Sequence, residues 1–268
     1  MQTDRLKMKT QIFIPQLSIS KYVGSILVIE NYDQRNNFIL PLYANGSPTL
    51  VFNTSKATGK NKNVDHLTLY GQTINPGELS ITDGFTLIAY FLYPNALTSL
   101  FGIEAKELTD GCMELTFLKQ AKEYNLQEQL LNTRMLNFRL DLLNNFIKKL
   151  ADNAIAIDSK TEFATKAINK SKGQISLQNI QHELGITERT LQRIFDTNVG
   201  ISPKMYRRVC QFQSAFQKLN QYQFSKVSDI AYEHGYADQS HFIRVFKEFT
   251  NITPREYLKN MKAILIES

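Results

Sequence analysis

Leu184-Gly185-Ile186-Thr187-Glu188-Arg189-Thr190-Leu191-Gln192-Arg193-Ile194-Phe195 is the stretch from which the rest of the chain can be read. Just before it, Ser176 to Leu184 sets Leu177, Ile180 and Leu184 at helical spacing. Gly185 interrupts that helix, the Thr187 hydroxyl can cap a new one, and Leu191, Ile194 and Phe195 give the new helix one apolar face. Helix, tight glycine turn, helix is the layout of a helix-turn-helix. The unit returns about fifty residues later. Ile180 and Gly185 match Ile230 and Gly235. Beyond the turn the offset grows by one, pairing Leu191 with Phe242, Arg193 with Arg244, Phe195 with Phe246, Pro203 with Pro254 and Tyr206 with Tyr257. The second turn has therefore gained a residue. Ser202-Pro203 opens a helix to about Leu219 that joins the two units, and Thr253-Pro254 opens another, with Glu256 completing a capping box.

Charge marks where this module begins. Residues 1–159 carry 15 basic and 15 acidic side chains, residues 160–268 carry 16 and 10, so the whole net charge of +6 lies in the last part. That asymmetry suits a polyanionic partner, either nucleic acid or an anionic membrane surface. At the same boundary, Ser159 and Glu162 form a Ser-x-x-Glu capping box and Gly173 follows Lys172, so the spacing predicts a helix from about Lys160 to Lys172.

The residues before it read differently. Tyr22 to Ile29, Phe38 to Leu42, Thr49 to Phe52, Leu67 to Tyr70 and Phe85 to Tyr93 are strand-like, separated by turn chemistry such as Asn45-Gly46-Ser47-Pro48 and Asn75-Pro76-Gly77. Short strands at this spacing make a small β-barrel or sandwich, cupin-like or related. The aromatics Tyr43, Phe52, Tyr70, Phe85 and Tyr90 could line a pocket in it, although a core role is the stronger expectation for each. From Ala121 the pattern turns helical. Leu136, Leu140, Leu143, Ile147 and Leu150 form one stripe, and Leu131, Met135, Phe138 and Leu142 a second beside it. Two stripes fit a helix sandwiched between the β-domain and a neighbouring helix, and equally a dimer interface.

Several classes are disfavoured. With 43% hydrophobic and 21% charged residues, the 268-residue chain is neither disordered nor fibrous. Cys112 and Cys210 are too few for a disulfide scaffold, which points to a reducing compartment. His66 is the lone histidine of the β-rich part, so a catalytic metal barrel is not expected, and no cofactor is. Ser240 and His241, adjacent on one helix, point apart, so no nucleophile–base pair is visible and the chain reads as a non-enzyme. No secretory signal is visible, and Pro94-Asn95 interrupts the uncharged run from Phe85 to Ile103, so a membrane span is not expected either.

Leu184 to Phe195, Gly200-Ile201-Ser202-Pro203-Lys204-Met205-Tyr206 and Ile230 to Lys247 closely resemble the AraC/XylS family of bacterial transcription regulators, over about residues 160–262. Gln181 departs from the small residue usual in the first unit, which Ala231 keeps in the second. The resemblance implies double-stranded DNA as partner, with two recognition helices in successive major grooves about 34 Å apart. Outward-facing Arg189, Gln192 and Arg193 on the first helix, and Gln239, Ser240, His241 and Arg244 on the second, are the expected base contacts. Ser202, Lys204, Arg207, Arg208 and Lys247 are the expected phosphate contacts. Arg193 and Arg244 have an alternative role in pairing with Asp229 or Glu183, and His241 in capping. The expectation is thus an α+β protein in three parts: a β-rich sensor over 1–120, a helical connector and dimerisation segment over 121–158, and a DNA-binding domain over 159–268 with its units at 176–198 and 227–250. It would be a cytoplasmic transcription activator that contacts RNA polymerase and responds to a small-molecule effector, as monomer or homodimer. The rival reading is a protein-interaction module that has lost specific DNA binding; the polar, basic outer face of both recognition helices, where anchors would be apolar, argues against it.

Overall fold

The computed structural model describes residues 8–32, 37–60, 62–221 and 224–267, with side chains to residue 260. Strands β1 (Met8–Phe13), β2 (Val23–Asn31), β3 (Phe38–Leu42), β4 (Thr49–Asn53), β5 (Ala57–Gly59), β6 (Lys62–Val64), β7 (Leu67–Tyr70), β8 (Gly77–Ile81) and β9 (Phe85–Leu92) precede a short helix, α1 (Ala96–Phe101). After β10 (Cys112–Glu114) come α2 (Lys119–Glu123), α3 (Leu126–Asn132) and α4 (Leu136–Asp152).

The apolar run of β9 explains how these elements layer. Alternation along a strand sends Phe85, Leu87, Ala89 and Phe91 to one side and Ile88, Tyr90 and Leu92 to the other. Here both sides are packed, in two different cores. β9 lies inside a six-stranded antiparallel sheet of order β1-β2-β9-β4-β7-β10, with Leu50 of β4 opposite Tyr90 on one flank and Leu69 on the other. One face of this sheet meets a second antiparallel sheet of order β3-β8-β5-β6, through Ile29, Leu87 and Ala89 against Leu79 and Ile81. The opposite face is covered by α1, α3 and α4. The two sheets stay separate, so the β-domain is an open sandwich and not a closed barrel.

On the helical side Leu140, Leu143, Ile147 and Leu150 of α4 are buried against the six-stranded sheet. Tyr90 donates its hydroxyl to Asn144 Oδ1 at 2.9 Å, and buried Arg139 donates Nε to the Leu130 carbonyl at 3.2 Å beside the Phe52 ring. Of the other apolar stripe, Leu142 packs on the same core, whereas Leu131, Met135 and Phe138 are exposed, at 37%, 61% and 57%. α3 lies against α4, with its Leu126 and Leu130 in the same core, so α4 has the sheet on one side and a neighbouring helix beside it.

The remainder is helical: α5 (Ser159–Lys170), α6 (Leu177–Leu184), α7 (Glu188–Asn198), α8 (Pro203–Asn220), α9 (Val227–Glu233), α10 (Gln239–Thr250) and α11 (Pro254–Glu267). α5 starts one residue away from expectation. Asp158, not Ser159, is its cap, accepting from the Thr161 amide at 2.7 Å and hydroxyl at 2.6 Å, which leaves Glu162 to pair with Lys166. A carboxylate at the cap also faces the positive end of the helix dipole, an advantage serine lacks.

The internal repeat is visible in hydrogen bonds. Gly185 N–H bonds the His182 carbonyl and Ile186 N–H that of Gln181; fifty residues on, Gly235 and Tyr236 bond Tyr232 and Ala231 in the same way. Both glycines have left-handed φ, 60° and 74°. The extra residue then enters, because Thr187 caps α7 through the Thr190 amide and Asp238 caps α10 through the His241 amide, an offset of fifty-one. Fully buried Phe195, Phe212, Phe246 and Phe249 tie the units into one core, each worth about 1.5–3 kcal/mol of transfer free energy.

The two halves are docked. Ala44, in the segment after β3, is buried in the helical core, its carbonyl accepting from Gln213 Nε2 of α8. Tyr43 meets Phe216 and Tyr257 edge-on, with centroids 5.6 and 6.3 Å away. At a second point Thr109 donates its hydroxyl to the Gly200 carbonyl at 2.7 Å, and Thr98 donates to the Thr197 carbonyl at 3.2 Å. Gly200 has φ of +90°, and a Cβ there would stand 2.6 Å from the Ala105 carbonyl oxygen, so backbone meets backbone where only glycine fits.

Candidate nucleic-acid interface

α7 buries Leu191, Ile194 and Phe195 and turns the opposite face to solvent. Arg189 and Arg193 are exposed on that face. Gln192 is half-buried, its Nε2 donating to Asp196 Oδ1 at 2.8 Å one turn along. On α10 the buried set is Phe242, Val245, Phe246 and Phe249, and Gln239, Ser240, Arg244 and Lys247 are exposed. His241 differs from its neighbours: it is half-buried, with its ring edge-on to Tyr236 at 5.4 Å. Its amide takes the Asp238 cap. Asp229, the suggested arginine partner, instead receives the Lys226 amide.

The expected phosphate contacts fall into two groups. Lys204, in the first turn of α8, and Lys247 are exposed. Ser202 caps α8, its hydroxyl accepting from the Met205 amide at 3.1 Å. Arg207 donates Nε to the Gly173 carbonyl at 3.2 Å. Arg208 spans α8 and α10, 2.6 Å from Glu248 and 5.4 Å from the centre of the Phe249 ring, and so braces the joining helix against α10. That bracing role was not visible in the sequence, because its partner lies forty residues away.

Near the start of the second turn lies a buried histidine. His234, just before the glycine of the second turn, is 1% exposed and neither ring nitrogen has a hydrogen-bond partner among the described residues. Burial holds its pKa below the ordinary 6.5; Glu233 opposes that shift, and Lys172 and Lys218 reinforce it.

A cavity of about 740 Å³ opens between the sheets and runs to the helical half. Leu27, Leu40, Leu79, Leu87 and Phe91 give apolar walls, and Lys170, Lys172 and Gln213 line it from the other domain. Of the aromatics singled out in the sequence, Tyr43 and Tyr70 line this cavity, whereas Phe52, Phe85 and Tyr90 are core. Cys210 also lines it, and burial pushes its thiol up to about 12. The sequence pointed to a pocket in the β-rich part but not to its second wall, which comes from α5 and α8 of the helical half. Among the described residues no helix is long and apolar enough to cross a membrane.

Comparison with known proteins places these observations. Residues 180–260 match the helix-turn-helix domain family, and residues 11–127 match a domain of unknown function (DUF6597). An uncharacterized HTH-type transcriptional regulator of Haemophilus influenzae is 38% identical over 69 residues, 26% of this chain and 23% of its own length. The HTH-type regulator YtdP of Bacillus subtilis is 26% identical over 250 residues, 90% of this chain and 30% of its own. The chain thus spans less than a third of the length of these relatives. Among solved structures, ToxT from Vibrio cholerae superposes with a TM-score of 0.50 at 17% identity, over 94% of this chain and 98% of that one. An unsaturated fatty acid bound form of ToxT gives 0.50 at 15% identity, over 96% and 97%. At such identity the likeness is one of fold.

Proposed function

We propose, from the premise that residues 180–260 are an AraC-type helix-turn-helix DNA-binding domain, that the chain is a transcription regulator reading two successive major grooves under control of its β-rich half. The observation that carries this is the duplicated turn geometry with an arginine-bearing, solvent-facing surface on both second helices. Arg189, Arg193 and Arg244 are exposed and can fork onto guanine, with Gln192 beside the first two on α7 and Gln239 and Ser240 beside the third on α10. Lys204 and Lys247 are the phosphate contacts. Ser202, Arg207 and Arg208 act mainly by setting helix geometry, since each already holds an internal partner. His241 packs on Tyr236 and supports the second reader from its edge.

The docked interface supports a sensing role for the β-rich half. A ligand in the 740 Å³ cavity touches both domains, so its binding free energy depends on how they are arranged, and that dependence is what shifts promoter occupancy. Apolar walls with Lys170 and Lys172 suit an amphipathic carboxylate, and ToxT, of the same fold, has been solved with an unsaturated fatty acid bound. Activation through RNA polymerase in the cytoplasm, and homodimerisation through Leu131, Met135 and Phe138, complete the reading.

The test is binding-site selection from a random duplex pool with the full chain. Two half-elements about a helical turn apart are expected. Arg189→Ala then costs about 1–3 kcal/mol on the selected duplex and relaxes one base pair. Absence of any enriched motif, with and without an unsaturated fatty acid, would favour the protein-interaction reading.

A further inference from the structure

We propose that Asp196 is a positioning residue for base recognition: it fixes the orientation of the Gln192 amide on α7 and so makes the first recognition helix selective for adenine at one position. The inference rests on the reading that Gln192 faces a base. A glutamine amide is ambiguous as a reader, because rotation of its terminal torsion exchanges the oxygen and the NH₂ group. A carboxylate removes the ambiguity, since it accepts and does not donate. The 2.8 Å contact between Gln192 Nε2 and Asp196 Oδ1 therefore requires nitrogen on the Asp196 side. One of the two N–H bonds is used there. The amide oxygen and the remaining N–H stay together as an adjacent acceptor and donor, which is the pair that adenine complements with its N6 amino group and N7.

The internal repeat shows that this arrangement belongs to one unit. At the offset of fifty-one, Arg189, Gln192, Arg193 and Asp196 correspond to Ser240, Ile243, Arg244 and Lys247. The second helix thus has neither the amide nor the carboxylate, and carries an exposed cation where the first carries an anion. An anion near phosphates weakens binding to every duplex alike, so Asp196 brings affinity down while it sharpens choice at one base.

Full-length chain and its variants, first checked for unchanged helix content, are measured by anisotropy on the selected duplex with each of the four bases at every position. Gln192→Ala identifies the base pair that Gln192 reads. Asp196→Ala is expected to lower the adenine preference at that same pair by about 2- to 12-fold, the range for one lost hydrogen bond, and to leave other positions as they were. Asp196→Asn, whose amide can donate as well as accept, readmits the flipped Gln192 amide and is expected to lose part of the preference. Asp196→Lys is expected to lose the preference and bind all duplexes more tightly at low salt. An Asp196→Ala protein with intact preference at the Gln192 pair, or an Asp196→Asn protein as selective as the parent chain, overturns the positioning role. If Gln192→Ala itself leaves every preference intact, the base-contact reading of Gln192 is what fails, and the proposal falls with it.

Discussion

Gly200→Ala tests whether the two halves are held together as described. Two separate costs act at this residue. The first is conformational: φ of +90° lies in the left-handed region, where a side chain costs about 1–2 kcal/mol. The second is steric: the added Cβ would sit 2.6 Å from the Ala105 oxygen and 2.8 Å from Thr109 Oγ1, neither of which can yield without moving the backbone or breaking the Thr109 bond. Loss of that bond adds about 1 kcal/mol, and displacement of the packed turn about as much again, for a total near 3–4 kcal/mol. Gly185→Ala isolates the first cost, because Gly185 has φ of +60° with nothing within 4 Å of a Cβ. Urea unfolding followed by circular dichroism compares the two, and hydrogen exchange reports on residues 105–109. The expected result is a loss for Gly200→Ala about 2 kcal/mol greater than for Gly185→Ala, with faster exchange at Thr109. Equal losses and unchanged exchange would refute the docked interface, since the clash exists only if Ala105 stays where the structure has it.

Three further outcomes are expected. Lys204→Ala weakens binding to all sequences alike and reduces the salt slope by about one; a sequence-dependent loss would mean a base contact instead. Tyr90→Phe removes the donor to Asn144 inside the α4–sheet core and lowers stability by about 1–3 kcal/mol in chemical denaturation, whereas no loss would show that Asn144 finds another donor. His234 is held neutral in the fold, with its pKa depressed below 6.5, so the unfolded chain takes up the proton more readily. Its contribution to stability is complete above pH 6.5 and is lost as pH falls through the depressed value. Denaturation midpoints at about pH 7.5 and pH 5.5 should therefore converge in His234→Leu relative to the parent protein; an unchanged difference places the acid sensitivity elsewhere.

The helical half was legible because its signals are short-ranged. Thr187, Ser202 and Thr253 announce helix starts from side chains that bond three residues ahead, and glycines mark the turns. Ser159 misled because Asp158, one residue earlier, is the stronger cap. In the β-rich half, Phe38–Leu42 and Leu67–Tyr70 match their expected spans. β1, β5, β6, β8 and β10 were not anticipated. β5, β6 and β10 are three residues long, and β1 and β8 mix polar with apolar residues, so their pairing partners define them more than their composition. On the solvent faces of α7 and α10, the exposed arginines follow from helical period alone. The internal partners of Arg207 and Arg208 do not, because they depend on how distant helices cross.

The cavity thiol gives the molecule a built-in clock. Cys112 sits on an exposed edge strand, while Cys210 lines the space between the domains with its thiol pushed up to about 12. At neutral pH this half-buried thiol is protonated, and the thiolate is the reactive form, so alkylation of Cys210 is slow and depends on how far the cavity admits the reagent. The ratio of labelling rates at the two cysteines then reports access to the cavity in an unmodified chain, with Cys112 as the exposed reference. An occupant of the cavity slows that clock if it bridges the halves and quickens it if it wedges them apart.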